Sequence, residues 1–80
     1  MAAENASLLA VRVDRALPRL RPAELRVVTA MLASGVALEA MTTAEVAALA
    51  GASPSTVVRT CHLLGFQSFG EARAAARVRE

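Results

Sequence analysis

Ser55, Arg59 and His62 are spaced four and three residues apart, and together they offer hydrogen-bond donors, acceptors and one permanent positive charge. At about 100° per residue, an α-helix places the three within about 60° of one another, on one face. An arginine guanidinium on such a face presents several N–H donors in a fixed plane. The spacing therefore predicts a surface that recognises a partner molecule through hydrogen bonds and charge.

Enzymes and metal sites need other combinations of residues, and this sequence does not contain them. No nucleophile stands with a base and an orienting group, and no glycine-rich loop is placed to hold phosphate. His62 is the single histidine and Cys61 the single cysteine, so neither a metal-ligand spacing nor an intramolecular disulfide arises. We therefore expect no enzyme activity, no cofactor and no metal ion, and we interpret Cys61 as a small buried hydrophobe.

The composition favours one small all-α domain. The 80 residues are rich in alanine, contain two phenylalanines and no other aromatic residue, and their β-branched residues never form an alternating run. The net charge is +2 and every basic residue is arginine, which permits nucleic-acid binding without implying it. Because no apolar run approaches ~20 residues and no signal-peptide pattern begins the chain, we expect a cytoplasmic protein with no membrane partner.

Helix caps and helix breakers divide the chain into five predicted helices. Thr42 and Glu45 match a capping box, and Ser53 precedes Pro54 as an N-cap before the first helical position. Gly51 follows the third helix as a left-handed C-cap. The predicted segments are Asn5–Leu17, Pro22–Gly35, Thr42–Ala50, Ser53–Leu64 and Ser68 to the C-terminus.

Apolar stripes at helical spacing are predicted on three of these segments. The stripe of the fourth segment lies opposite Ser55, Arg59 and His62, so that segment is amphipathic. The stripes are Leu9, Val13 and Ala16 in the first segment, Leu25, Val28 and Leu32 with Met31 alongside in the second, and Val57, Cys61 and Leu64 in the fourth.

The third and fourth segments are joined by a turn of about three residues that begins at Gly51, which is the helix–turn–helix plan. Glycine tolerates positive φ, so the chain can turn sharply there. Ala47, four residues before the glycine, is small enough for the helices to cross closely, and Val57, six residues after it, points into the core. The second helix of such a unit can enter the DNA major groove.

The residues around this unit resemble a known family. The matching stretches are Met41-Thr42-Thr43-Ala44-Glu45-Val46-Ala47, Ala52-Ser53-Pro54-Ser55-Thr56-Val57-Val58-Arg59, Leu64-Gly65-Phe66 and Ser68-Phe69. They are similar to the pattern "mTi.eLA…vS.sTvvRf…LGf.gf.e" of the N-terminal domain of RpiR-type transcriptional regulators, and Arg21-Pro22-Ala23-Glu24 fits the start of the preceding helix. The resemblance covers residues 17–73. Thr60, His62 and Arg21 stand where the family usually has a larger apolar residue, a basic residue and a Ser-type cap.

The resemblance implies an all-α, homeodomain-like helix–turn–helix fold with no β wing. It implies one domain over residues 1–80, with the helix–turn–helix proper over about 42–65, in a bacterial regulator that recognises double-stranded DNA at a palindromic operator as a homodimer. We expect the first segment, alone or with the fifth, to form the dimer contact. In the family, a phosphosugar controls DNA binding through a C-terminal sugar-isomerase-like (SIS) domain, which lies outside these 80 residues.

The predicted DNA-contacting residues lie at helix N-termini and along the polar face, and each has a structural alternative. Arg59 can bind guanine, pair with a carboxylate of a neighbouring helix or remain solvated. Ser55 and Thr56 can contact DNA or cap their own helix, and His62 can contact DNA or remain solvated. A second hypothesis is a protein-interaction module that keeps only the dimer face of a degenerate helix–turn–helix. The candidates are Thr42, Thr43, Ser53, Pro54, Ser55, Thr56, Arg59, His62, Gln67 and Ser68.

Overall fold

The computed structural model describes residues 7–77, which form five α-helices. Two 3-10 helices, Leu17–Arg19 and Gly35–Ala40, lie before and after the second α-helix, and residues 7–77 contain no strand. The predicted all-α fold of five short helices without a β wing is confirmed. The predicted helix start at Asn5 and the last residues of the fifth segment lie outside the described range. The helices are α1 Leu8–Ala16, α2 Pro22–Ser34, α3 Thr43–Ala50, α4 Pro54–Leu63 and α5 Phe69–Ala74.

The two helices of the predicted helix–turn–helix begin at the caps that the sequence indicates. At α3, Thr42 Oγ1 accepts from the Glu45 N–H at 3.1 Å, and Glu45 Oε1 accepts from the Thr42 N–H at 2.8 Å. At α4, Ser53 Oγ accepts from the Thr56 N–H at 3.2 Å, with Pro54 at the first helical position. Both predicted caps are confirmed, and each satisfies backbone N–H groups that a helix start leaves without partners.

The turn between α3 and α4 depends on Gly51. Its backbone is left-handed, with φ of +65°, and its N–H donates to the carbonyls of Ala47 and Ala48. The Ala52 N–H also donates to the Ala47 carbonyl, at 2.9 Å. These bonds end α3 and turn the chain sharply. Ser53, two residues after Gly51, is therefore able to cap the next helix. The predicted left-handed C-cap is confirmed.

The core takes buried residues from all five α-helices. The predicted inward residues of α1 and α4 are all buried, and α4 packs against both α2 and α3. Thr60, which stands at a usually apolar position, is also fully buried, and its hydroxyl donates to the Thr56 carbonyl at 2.7 Å. That bond satisfies the hydroxyl without an external partner. The confirmed stripes are Leu9, Val13 and Ala16 on α1, and Val57, Cys61 and Leu64 on α4.

The predicted stripe of α2 is wrong at two of its positions. Leu25 and Leu32 are 45% and 42% exposed, whereas Glu24 and Val27 are buried. The buried positions of α2 follow the spacing i, i+3, i+4, i+7, with Val28 and Met31 completing the set. Because α2 packs against both α3 and α4, its buried arc is rotated toward Glu24 and away from the leucines.

The segment after α2 contributes a core residue that the sequence patterns did not identify. The 3-10 helix Gly35–Ala40 places Leu38 in the core with no exposed surface. Its backbone joins α2 to the capping box of α3. None of the helices within residues 7–77 has the length and apolar character that crossing a lipid bilayer requires.

Candidate nucleic-acid interface

The exposed face of α4 carries the three polar side chains that the spacing predicts. Ser55, Arg59 and His62 are all exposed, and the Arg59 side chain retains 65% of its accessible surface. The opposite face of α4 is held by Val57 and Cys61, which have no exposed surface. The predicted amphipathic arrangement is confirmed, since the helix is anchored on one side and available to a partner on the other.

Burial also fixes the chemical state of Cys61. Desolvation of the thiol raises its pKa from 9.0 to about 11, because the apolar surroundings disfavour the thiolate. The thiol is therefore protonated at neutral pH, and the interpretation of Cys61 as a buried hydrophobe is confirmed. Among residues 7–77, no cluster of three or more His, Cys, Asp or Glu side chains is placed to hold a metal ion.

The N-terminus of α4 forms a compact cluster of hydroxyl groups. Ser53 Oγ lies 3.0 Å from Ser55 Oγ and 2.9 Å from Thr56 Oγ1, in addition to capping the helix. The local capping alternative therefore holds for Ser53, and Ser55 and Thr56 join its network. Pro54 is exposed beside them. This end of the helix carries the positive end of its dipole, so the cluster is suited to an anionic partner.

The N-terminus of α3 has its own cap and a nearby arginine. Thr42 is exposed and Thr43 is half-buried, and the hydrogen bonds of Thr42 remain within α3. Arg73 of α5 donates from Nη1 to the Met41 carbonyl at 2.8 Å, directly before the cap. The guanidinium of Arg73 also lies 5.4 Å from the centre of the Phe69 ring. A cation is thus fixed near the start of α3.

The far end of the exposed face of α4 meets the loop before α5. His62 Nε2 lies 3.2 Å from the Gln67 carbonyl oxygen, so the structure brings these two candidates together. Ser68 caps α5 by accepting from the Glu71 N–H at 3.0 Å, while Glu71 Oε1 accepts from the Gln67 N–H at 3.2 Å. Ser68 and Glu71 have the spacing of a capping box, but the box is half formed, because the Glu71 carboxylate bonds the N–H of Gln67 and not that of Ser68.

Arg59 has a carboxylate partner that sequence analysis did not name. Its Nε lies 3.8 Å from Oε2 of Glu24, whose side chain is 6% exposed. Glu24 Oε1 also accepts from the Arg21 N–H at 2.9 Å, at the start of α2. The alternative that Arg59 pairs with a neighbouring helix is therefore realised, while most of the arginine remains exposed. The Arg21-Pro22-Ala23-Glu24 helix start was the available signal for Glu24, but not for its contact with α4.

Two short helices joined by the Gly51 turn, with a polar exposed face and a hydroxyl-rich N-terminus on the second, define a DNA-binding helix–turn–helix domain. The family model described as the helix-turn-helix domain of the rpiR family matches residues 8–77. The chain therefore belongs to the rpiR family of helix–turn–helix domains, which confirms the resemblance that the motifs indicate. No curated protein and no solved structure matches it.

Proposed function

We propose that this domain binds double-stranded DNA sequence-specifically, with α4 in the major groove. The observation that carries the proposal is the exposed face of α4, which bears Ser55, Arg59 and His62 on a helix anchored by its opposite side. The major groove of B-DNA is about 12 Å wide and admits an α-helix. The family membership supports the same partner. We assign the domain no catalytic role and propose that it acts in the cytoplasm of a bacterial cell, as the family resemblance implies.

The proposed contacts divide into base recognition and backbone positioning. Arg59 donates two hydrogen bonds to guanine O6 and N7, the commonest specific contact in the major groove. Ser55 and Thr56 contact a base edge or a phosphate beside it. The remaining candidates contact phosphates, which fix the orientation of the domain on the duplex without selecting its sequence. They are Thr42, Thr43, Ser53, His62, Gln67 and Ser68, with Pro54 in apolar contact beside them because proline has no N–H to donate.

The proposed binding unit is a homodimer on a palindromic operator, because two half-sites about 34–36 Å apart require two recognition helices. The inward residues of α1 are buried within the single chain, while Leu8 on α1 and Leu17 directly after it are exposed. Nine residues at about 100° each place these leucines on opposite sides of the helix, so we propose that one of them forms the dimer contact of α1, with or without α5. A phosphosugar effector would act through a C-terminal sugar-isomerase-like domain, as the family resemblance implies.

The experiment that tests this proposal begins with selection of duplexes from fragmented genomic DNA by the purified domain. Selected fragments should share inverted half-sites with a fixed spacing. On that operator, Arg59→Ala should lose about 1–3 kcal/mol of binding free energy and relax the preference at one base pair. If Arg59→Ala bound every sequence as tightly as the parent domain does, the assigned role of Arg59 would be refuted.

One observation favours a second candidate function, a protein-interaction module. Leu25 and Leu49 are 45% and 66% exposed, and with Ala30 and Ala50 they line an apolar groove of about 380 Å³ between α2 and α3. Salt dependence separates the two functions, because DNA binding through several phosphates weakens steeply as salt rises. Absence of duplex binding at ~50 mM salt would favour the interaction module.

A further inference from the structure

We infer that Glu24 is a positioning residue for Arg59. The Glu24 carboxylate orients the Arg59 guanidinium for base recognition before DNA binds. The inference rests on the proposed contact of Arg59 with a base. It assigns a role in specificity to a residue of α2, outside the helix–turn–helix proper. The juxtaposition that carries it is the 3.8 Å contact between Arg59 Nε and Glu24 Oε2.

The Glu24 carboxylate is a fixed anchor. The residue is 5% exposed, and a buried carboxylate is costly unless hydrogen bonds or a cation compensate its charge. One oxygen accepts from the Arg21 N–H at 2.9 Å, which ties the side chain to the start of its own helix. The other oxygen faces Arg59. Because the backbone bond holds the carboxylate in place, the anchor does not move with the arginine.

Arg59 is a flexible side chain held at one edge. Its side chain is 65% exposed, so an ion pair at this position adds little to the stability of the fold. The nearest approach is through Nε, and within residues 7–77 neither Nη group of the planar guanidinium donates a hydrogen bond. Those two groups form the pair of parallel donors that matches guanine O6 and N7. The consequence of the contact is therefore orientation, which lowers the entropy that the arginine loses on binding.

The charge of Glu24 also reduces attraction to DNA in general. A carboxylate beside Arg59 offsets part of the positive charge that would otherwise attract any phosphate. Glu24→Gln keeps an oxygen that can accept from the Arg21 N–H and removes the charge that holds Arg59. The variant should therefore bind unrelated duplexes more tightly and discriminate less at the base pair that Arg59 contacts.

Glu45→Gln is the matched control. Glu45 occupies the same third position of its helix, and its carboxylate accepts from the Thr42 N–H at 2.8 Å, as Glu24 accepts at 2.9 Å. Within residues 7–77, the ion pairs involve Glu24 and Glu39 and not Glu45. Both substitutions remove a carboxylate charge that accepts from the N-cap N–H of its helix, although Glu24 is buried and Glu45 is exposed. Only Glu24→Gln removes a partner of Arg59.

The experiment measures binding of the 80-residue chain and its variants to the selected operator and to operators changed at single base pairs. Glu24→Gln should reduce the preference at the Arg59 base pair by about two- to tenfold, the equivalent of ordering one long side chain. Glu45→Gln should leave that preference unchanged. In an Arg59→Ala background, Glu24→Gln should change the preference no further, because Glu24 acts through the arginine.

A second measurement is made on the free domain without DNA and uses two different variants of Glu24. The Arg59 Nε–H resonance in the nuclear magnetic resonance spectrum should shift in Glu24→Gln, and in Glu24→Asp, whose shorter side chain withdraws the carboxylate. Equal base preference in Glu24→Gln and Glu45→Gln, or an unmoved resonance in both Glu24 variants, would overturn the inference while the proposed function stands. If the parent chain bound no duplex, the proposed function and the inference about Glu24 would both be overturned. If the parent chain bound DNA specifically but Arg59→Ala had no effect, only the role of Arg59 and the inference built on it would be refuted.

Discussion

Arg12, in the middle of α1, donates from Nη1 to the backbone carbonyl of Leu64 at 3.0 Å, where α4 ends. The same guanidinium lies 5.0 Å from the centre of the Phe66 ring, a distance at which a cation is attracted to an aromatic face. Leu64 ends the helix that we propose to contact DNA. Through Arg12, α1 thus holds the C-terminal end of that helix in place.

Arg12→Met should destabilise the domain by about 1–2 kcal/mol, because it removes the donor to a partly buried carbonyl and the cation over the ring. Methionine keeps most of the apolar stem, so the change isolates the guanidinium. The measurement is the free energy of unfolding in urea. Arg15→Met, at an exposed position of the same helix, serves as the control and should stay within about 0.5 kcal/mol of the parent. Equal stability of the two variants would contradict the role of Arg12.

Gly65→Ala should cost more than Gly51→Ala, although both glycines have positive φ. A Cβ at Gly65, where φ is +92°, would lie 2.6 Å from Arg12 Nη1, whereas a Cβ at Gly51 meets nothing within 4 Å. Gly51→Ala should therefore lower the free energy of unfolding only by the strain of a left-handed alanine, about 1–2 kcal/mol. Gly65→Ala should lower it by a similar strain and also by displacing the Arg12 guanidinium.

The interaction between the two positions can be measured by a double-mutant cycle. In an Arg12→Met background, the extra cost of Gly65→Ala over Gly51→Ala should shrink, because the arginine is no longer there to be displaced. Urea denaturation of the single and double variants gives the coupling free energy. Strict additivity of Arg12→Met and Gly65→Ala would show that the glycine does not act through the arginine.

Ser53→Asp separates the structural role of Ser53 from its proposed phosphate contact. Aspartate caps helices about as well as serine does, so thermal stability should change little. Its negative charge, placed at the hydroxyl cluster that begins α4, should repel a phosphate and weaken DNA binding by roughly tenfold at low salt. Ser53→Asn, which also caps the helix but is neutral, is the matched control. Comparable DNA affinity of the Asp and Asn variants would place the phosphate elsewhere.

The sequence predicted what short-range rules determine and missed what tertiary packing determines. The caps at Thr42 and Ser53 follow from side chains within one helical turn, so the sequence signal was sufficient for both α3 and α4. The buried arc of α2 was predicted wrongly, because apolar periodicity alone favoured Leu25 over a capping glutamate, Glu24. Glu24 is buried where α2 packs against α4, beside Arg59.

The long-range contacts of two half-buried arginines were not predicted either. Arg12 bonds a carbonyl 52 residues away and Arg73 bonds one 32 residues away. Sequence analysis assigned neither residue a contact, since a charged side chain gives no periodic signal of its own. The exposed face of α4 was predictable because Val57 and Cys61 define its opposite face within a single helix.

Ionisation of the Cys61 thiol should make the free energy of unfolding fall at alkaline pH. Burial raises its pKa from 9.0 to about 11, so the unfolded chain releases the thiol proton at lower pH than the folded chain does. Stability is therefore fully present below pH 9 and is lost as the pH rises through about 11. At ~1.4 kcal/mol per pKa unit, the loss amounts to roughly 2–3 kcal/mol.

The alkaline range isolates this thiol unusually well, because the sequence contains no tyrosine and its basic side chains are arginines, not lysines. Arginine stays protonated to above pH ~12. The free energy of unfolding, measured in urea from pH 8 to pH 11, should fall in the parent and remain nearly flat in Cys61→Ala. The variant starts from lower stability because it leaves a small cavity, so the comparison rests on the slopes. Parallel slopes in the two proteins would mean that the thiol is not the group whose titration destabilises the fold.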